Sequence, residues 1–149
     1  MNYFDDLKMT ELLMKEIEER KQGKRKGPSD ELGKAFLQVL EHTLTSRKYR
    51  NYTDDWKDEF RGLAIEKFLK HWYKFNPERI QKNYYQSEGK KYLKDKSEWK
   101  GAHTFFTQMV ISSIHDIINK FKKYHGRIED IAESYDRMLE QEINNHLHS

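Results

Sequence analysis

Between Ser29 and Leu44 the apolar residues fall at Leu32, Ala35, Phe36, Val39, Leu40 and Leu44. That is the i, i+3, i+4 spacing of a helix with one buried side, and a strand cannot use it, because its side chains alternate every second residue. The same spacing recurs down the chain, and no period-two run of useful length interrupts it. Only two prolines and seven glycines punctuate 149 residues. A chain so patterned and so seldom broken is expected to be all-α, with about five helices in one domain over 1–149 and room for a real core.

The punctuation sets the expected boundaries. A first helix is read over 10–22, with Thr10 as its N-cap and Leu12, Leu13 and Ile17 on one side. "KQGKRKGPSD" breaks it. This charge run reads either as a solvated linker or as a nucleic-acid contact. A second helix starts at Ser29 or Asp30. Thr53 is placed to cap a third, with Asp54 and Asp55 at its positive end. Asn76-Pro77 stops that helix near Phe75, so 29–75 holds two helices joined by "SRKYRNY". Residues 76–100 are less regular and mix lysines with Tyr84, Tyr85, Tyr92 and Trp99. A fourth helix spans 101–124, with Gly126 as its stop after Lys120, Lys122 and Lys123. A fifth, over 127–146, carries Ile128, Ile131, Tyr135, Met138, Leu139 and Ile143 on one side and a largely acidic remainder.

Composition excludes several classes. There is no cysteine, so neither disulfides nor thiolate metal sites are available. No apolar run reaches membrane-span length, and "MNYFDDLKMTELL" lacks the layout of a signal peptide. The seven histidines form no H-x-x-x-H pair, and no phosphate-binding loop or nucleophile elbow is present. No metal, cofactor or catalytic constellation is expected, and binding rather than catalysis is the implied role. The net charge of +3 is too small to diagnose a nucleic-acid binder by itself.

The adjacent phenylalanines of "GAHTFFTQMVISSIHDIINKFKKY" carry more information. At about 100° per residue, Phe106, Met109, Val110, Ile114, Ile117, Ile118 and Phe121 share one broad sector. Phe105 falls roughly opposite, with Gln108, Ser112, His115, Asp116, Asn119 and Lys123. An outward ring heading a row of amide, hydroxyl, imidazole and ammonium groups suits nucleic acid: the ring stacks on an unpaired base, the polar groups meet base edges, and lysines meet phosphates. The alternative is that Phe105 packs under 76–100 as ordinary core. On the third helix, Trp56, Phe60, Leu63, Phe68 and Trp72 make an apolar side, while Asp55, Asp58, Glu59, Gly62 and Glu66 gather on another. That acidic stripe is either a solvated face or a docking face for a basic partner.

"YTDDWKDEFRGLAIEKFLKHWYKF" followed by "HTFFTQMVISSIHDIINKFKK" resembles region 2 of bacterial sigma factors, and more closely the small late-transcription sigma factors of tailed, T-even-like phages. The resemblance extends back through "SDELGKAFLQVLEHTLTSRKYRNY" to "ELLMKEIEER". Its most specific parts are Trp56–Glu59 and the run from His103 to Gln108. It implies a helical region-2-like domain in the host bacterial cytoplasm that binds core RNA polymerase at the clamp helices of the largest subunit. Asp55, Asp58, Glu59, Arg61 and Ile65 fall at the family's polymerase-contact positions. It also implies that the fourth helix melts and reads a −10-like promoter element on the non-template strand. Phe105 takes the position of the melting aromatic, and Gln108 a base-reading position. Ile111 and Ser112 follow towards upstream duplex, with His115 and Lys123 further along the same face.

Three departures accompany the resemblance. Thr104 stands where housekeeping sigma factors have a second aromatic. Residues 78–99 are longer than the matching connection. The acidic-hydrophobic tail with which phage late factors bind a sliding clamp has no copy at "INNHLHS". A co-activator and a sliding clamp remain implied helpers, and a −10-only factor is expected. The alternative is a polymerase-binding appropriator or inhibitor that reads no promoter.

Overall fold

The computed structural model describes residues 3–79 and 99–147, and every regular element among them is helical. In chain order these are α1 (Asp6–Lys21), α2 (Asp30–Leu44), α3 (Asp54–His71), a 3₁₀ turn (Trp72–Lys74) and α4 (Ala102–Leu147). The fold is all-α. Tyr84, Tyr85 and Tyr92 of the irregular segment lie outside the described residues. By packing, the chain divides into two compact units, Met1–Ile114 and His115–Ser149.

The second helix starts at Asp30, one of the two residues read for it, and the third is capped by Thr53 as expected. The Ser29 hydroxyl accepts from the Leu32 amide at 3.2 Å, and the Thr53 hydroxyl accepts from the Trp56 amide at 3.4 Å. All six stripe residues of α2 are buried. The third helix ends earlier than expected, passing at His71 into the 3₁₀ turn that buries Trp72.

Two boundaries need correction. The first helix starts at Asp6, not Thr10, and Asp5 caps it by accepting from the Lys8 amide. Thr10 is fully buried inside the helix. Its hydroxyl donates to Asp6 Oδ1 and accepts from the Ala102 amide, so a residue with capping chemistry serves the start of a different helix. The second correction concerns Gly126. It does not stop the fourth helix, and the segments expected over 101–124 and 127–146 are one 46-residue helix, α4. Gly126 lacks the positive φ of a left-handed cap. A glycine inside a helix costs about 1 kcal/mol relative to alanine, less than the good helix formers on either side can absorb. Where a glycine cap does form, after α1, Gly23 has φ +77°. The Gly23 amide there donates to Arg20 and the Lys24 amide to Glu19, the paired bonds of a Schellman ending.

The core of the first unit is an aromatic cluster. Phe36 and Phe68 stack with centroids 4.4 Å apart. Phe106 meets both edge-on at 5.5 and 5.6 Å, and Phe4 meets Phe106 edge-on at 6.1 Å. These edge-to-face contacts place ring hydrogens against π faces, the favoured arrangement for packed aromatics. Four chain segments are thereby joined through one ring apiece. The other phenylalanine of the pair, Phe105, is not fully outside: it is half-buried, with its ring 5.2 Å from Phe75.

One buried carboxylate ties α1 to α2. Glu16 is 1% exposed. It accepts from the Ser29 amide at 2.6 Å and from the Ser29 hydroxyl at 2.5 Å, with the Arg25 guanidinium 3.7 Å away. A charge buried this completely survives only with such partners, so the "KQGKRKGPS" connection is held by its ends and reads as a structural link.

Candidate polymerase- and nucleic-acid-binding faces

The N-terminus of α4 is built by α1. Gly101, with φ +141°, precedes the helix and has no side chain to cap it. Asp6 Oδ1 does this instead, accepting from the Gly101 amide at 3.2 Å and the His103 amide at 3.1 Å, while Thr10 takes the Ala102 amide. These are the donors that make many helix N-termini attract phosphate. Here they are occupied by a carboxylate and a hydroxyl, so any nucleic acid must be met by the side of α4 rather than its end.

That side is composed as its angular positions predict. Thr104, Gln108 and Ser112 are exposed one turn apart, and Ile111 is half-buried beside them. Phe105 stands at their head with one part of its ring against Phe75 and another reaching solvent. His115 and Lys123 continue the sequence on the second unit and are exposed. Trp99, from the segment of mixed lysines and aromatics before α4, is 8% exposed. It lines a cleft with Met14, Ile17, Phe75 and Pro77, so its ring is part of the packing.

The sequence reading missed Lys67. This lysine of α3 donates from Nζ to the Ser112 hydroxyl at 2.9 Å, bringing an ammonium onto the polar side of α4. Phe75 meets Phe105 while Lys67 meets Ser112, so the two helices run in opposite directions here. Only that crossing could have revealed Lys67, because its own neighbours in sequence mark it as an ordinary surface residue. Thr107 Oγ1 and His71 Nδ1 are buried polar atoms without a hydrogen-bond partner among the described residues.

The acidic side of α3 divides into paired and unpaired charge. Arg61 grips Glu41 of α2 with two bonds, Nε to Oε1 at 2.6 Å and Nη2 to Oε2 at 3.1 Å, and holds Asp58 at 2.8 Å. The Glu41 contact, ahead of Asp58, raises the Arg61 pKa above its already high ordinary value, so its charge is permanent. One guanidinium is thus shared between Glu41 and Asp58, and the three groups together keep one net negative charge. Asp55 and Glu59 are exposed and carry no ion pair among the described residues. Beside them lies an apolar ridge: Ile65 is 37% and Leu69 58% exposed, with Leu37 of α2 at 44%. Leu37 and Leu69 line a groove with Pro28 and Gly33. Open space stands over both Gly33 and Gly62, so a partner can approach the backbone of either helix.

All five residues expected to bind polymerase thus occupy α3, three of them exposed acids. The residues expected to bind DNA all lie on α4. Among the described residues no helix is long and apolar enough to cross a membrane. No protein-family model matches the chain, and neither does any curated protein or solved structure.

Proposed function

We infer that the chain is a late-type sigma factor of a tailed phage, acting in the host bacterial cytoplasm to bring core RNA polymerase to a −10-like promoter element. Asp55, Glu59 and Ile65, with Leu69 beside them, bind the clamp helices of the largest subunit, and the Asp58–Arg61 pair orders that face. Thr104, Phe105, Gln108, Ile111 and Ser112 capture the non-template strand, with His115 and Lys123 meeting DNA further along. Lys67 joins this set from α3. The chemistry of RNA synthesis belongs to the polymerase. A co-activator and a sliding clamp are candidate helpers.

The observation that best supports this reading is the setting of Phe105. Phe75 backs its ring, leaving a partly exposed aromatic at the head of the Thr104–Gln108–Ser112 row. A backed ring is already ordered, so stacking on a flipped base loses little side-chain entropy, and such stacking contributes about 1–3 kcal/mol per base. That is the size of the unstacking cost of a few kcal/mol that strand opening incurs.

The test is run-off transcription with core polymerase on A·T-rich candidate promoters, supplied as duplex and as pre-melted template. Wild-type chain is expected to initiate at a defined site on both. Phe105→Ala should initiate only on the pre-melted template, and Glu59→Lys should fail on both through loss of core binding. A wild-type chain that binds core but initiates on neither template would instead support the polymerase-binding appropriator or inhibitor. The exposed ridge of Ile65, Leu69 and Leu37 serves that second reading equally, since core binding needs no promoter contact.

A further inference from the structure

Within the second unit, α4 carries an apolar row that nothing described covers. Tyr124 is 64% exposed, Ile128 44%, Ile131 68%, Tyr135 61% and Met138 62%. Their spacing alternates four, three, four and three residues. Phe121 continues it backwards with a step of three, and Leu139 and Ile143 widen the row near its end. An average of 3.5 residues per apolar position is the signature of a coiled-coil seam. It is tighter than the 3.6 of a straight helix, so the row stays on one side only if a second helix winds around the first.

The charges say which helix. From Lys120 to Arg127 there are four cations, Lys120, Lys122, Lys123 and Arg127, and no acid. From Glu129 to Glu142 there are six acids against Arg137 alone. A second copy laid parallel sets like charge beside like along the whole seam. Laid antiparallel, the basic half of each copy meets the acidic half of the other. One antiparallel register also matches the side chains. Phe121 then faces Met138 of the second copy, Tyr124 faces Tyr135, and Ile128 faces Ile131, so every layer from Phe121 to Met138 is apolar. The next layer outward in the same register sets Ile117 against Glu142, so the apolar seam ends at Phe121 and Met138. Gly126 lies on the outer side, away from the seam.

We propose that residues 121–138 form an antiparallel two-helix coiled coil with a second copy of this chain. Its centre lies between Glu129 and Asp130. The self-association does not use the polymerase- and DNA-facing residues of the first unit, although Lys123, proposed to meet DNA, lies within the paired segment.

Sedimentation of the full chain over a concentration series tests the pairing, and cysteine cross-linking tests its direction. The natural chain has no cysteine, so single introduced thiols report cleanly. The wild type should pass from monomer to dimer, more weakly at high salt because the charge match is screened. Ile131→Asp should weaken dimerisation by more than about tenfold while leaving helix content by circular dichroism unchanged, with a tenfold change equal to about 1.4 kcal/mol. Under oxidation, a mixture of Tyr124→Cys and Tyr135→Cys chains should give the mixed disulfide in preference to either homodimer. A chain that stays monomeric throughout overturns the proposal. So does preferential Tyr124→Cys self-linkage, which marks a parallel pair, and so does an Ile131→Asp chain that dimerises like the wild type.

Discussion

The two ends of α4 obey one periodicity and meet opposite fates. In the first unit, Phe106, Val110 and Ile114 follow one another at helical spacing and are all fully buried. In the second, Ile131, Tyr135 and Met138 follow at helical steps of four and three and are each more than 60% exposed. Local sequence therefore decides which side of a helix is apolar, but it does not decide what covers that side. The first end has Phe4, Phe36 and Phe68 waiting for it. The second has no described neighbour of that kind, and a periodicity tuned to 3.5 residues points to another helix rather than to the chain's own core.

The sharpest way to break this comparison is to truncate one residue from each end. Phe106→Ala removes the ring that meets Phe4, Phe36 and Phe68 and leaves a cavity in a close-packed core. It is expected to destabilise the chain by about 3–5 kcal/mol, read as a lower urea midpoint with an unchanged slope. Ile131→Ala, measured at a concentration where the chain is monomeric, should stay within about 0.5 kcal/mol of wild type. Equal effects at the two positions would mean that the exposed row is covered within the monomer after all.

A second substitution asks what anchors the buried end. Asp6 Oδ1 holds the Gly101 and His103 amides and the Thr10 hydroxyl. Asp6→Ala should cost about 1–2 kcal/mol, the upper range for loss of an N-cap. Hydrogen exchange should accelerate first at residues 101–105 and remain unaltered at the far end of α4. Asp6→Asn, which keeps an acceptor oxygen, should recover part of the loss. If exchange rises uniformly along α4 instead, the carboxylate is not acting as a local cap.

How much of this was legible beforehand depends on whether the deciding partner was near in sequence. Helix α2 was readable to within a residue at its start because Ser29 and its stripe are all local. Thr10 misled because capping chemistry is also useful inside a helix when a distant amide needs an acceptor. The amide of Ala102, 92 residues away, could not be seen from Thr10. The angular reading separated Phe105 from Phe106 correctly in direction, but it could not supply Phe75, which turns an outward ring into a half-buried one. Lys67 escaped for the same reason: its role depends on the crossing of α3 and α4. The acidic stripe of α3 was visible as composition. Its internal pairing was not, because Arg61 reaches Glu41 on another helix.

Gly126 offers the finest test, because its two readings predict opposite signs. If it ended a helix in the left-handed conformation, as Gly23 does after α1, an alanine there would be strained and the flanking turns would loosen. Inside a continuous helix with nothing within 4 Å of the added methyl group, the same substitution only removes glycine's excess backbone freedom. Gly126→Ala is then expected to stabilise the surrounding turns by about 0.5–1 kcal/mol. Amides of residues 122–131 should exchange up to about fivefold more slowly, since a kilocalorie is a factor of that size in a local equilibrium. Position 126 lies away from the apolar row, so dimerisation should be preserved or slightly strengthened as the helix stiffens. Faster exchange would restore the break at Gly126, and with it two separate helices whose apolar sides need not share one seam.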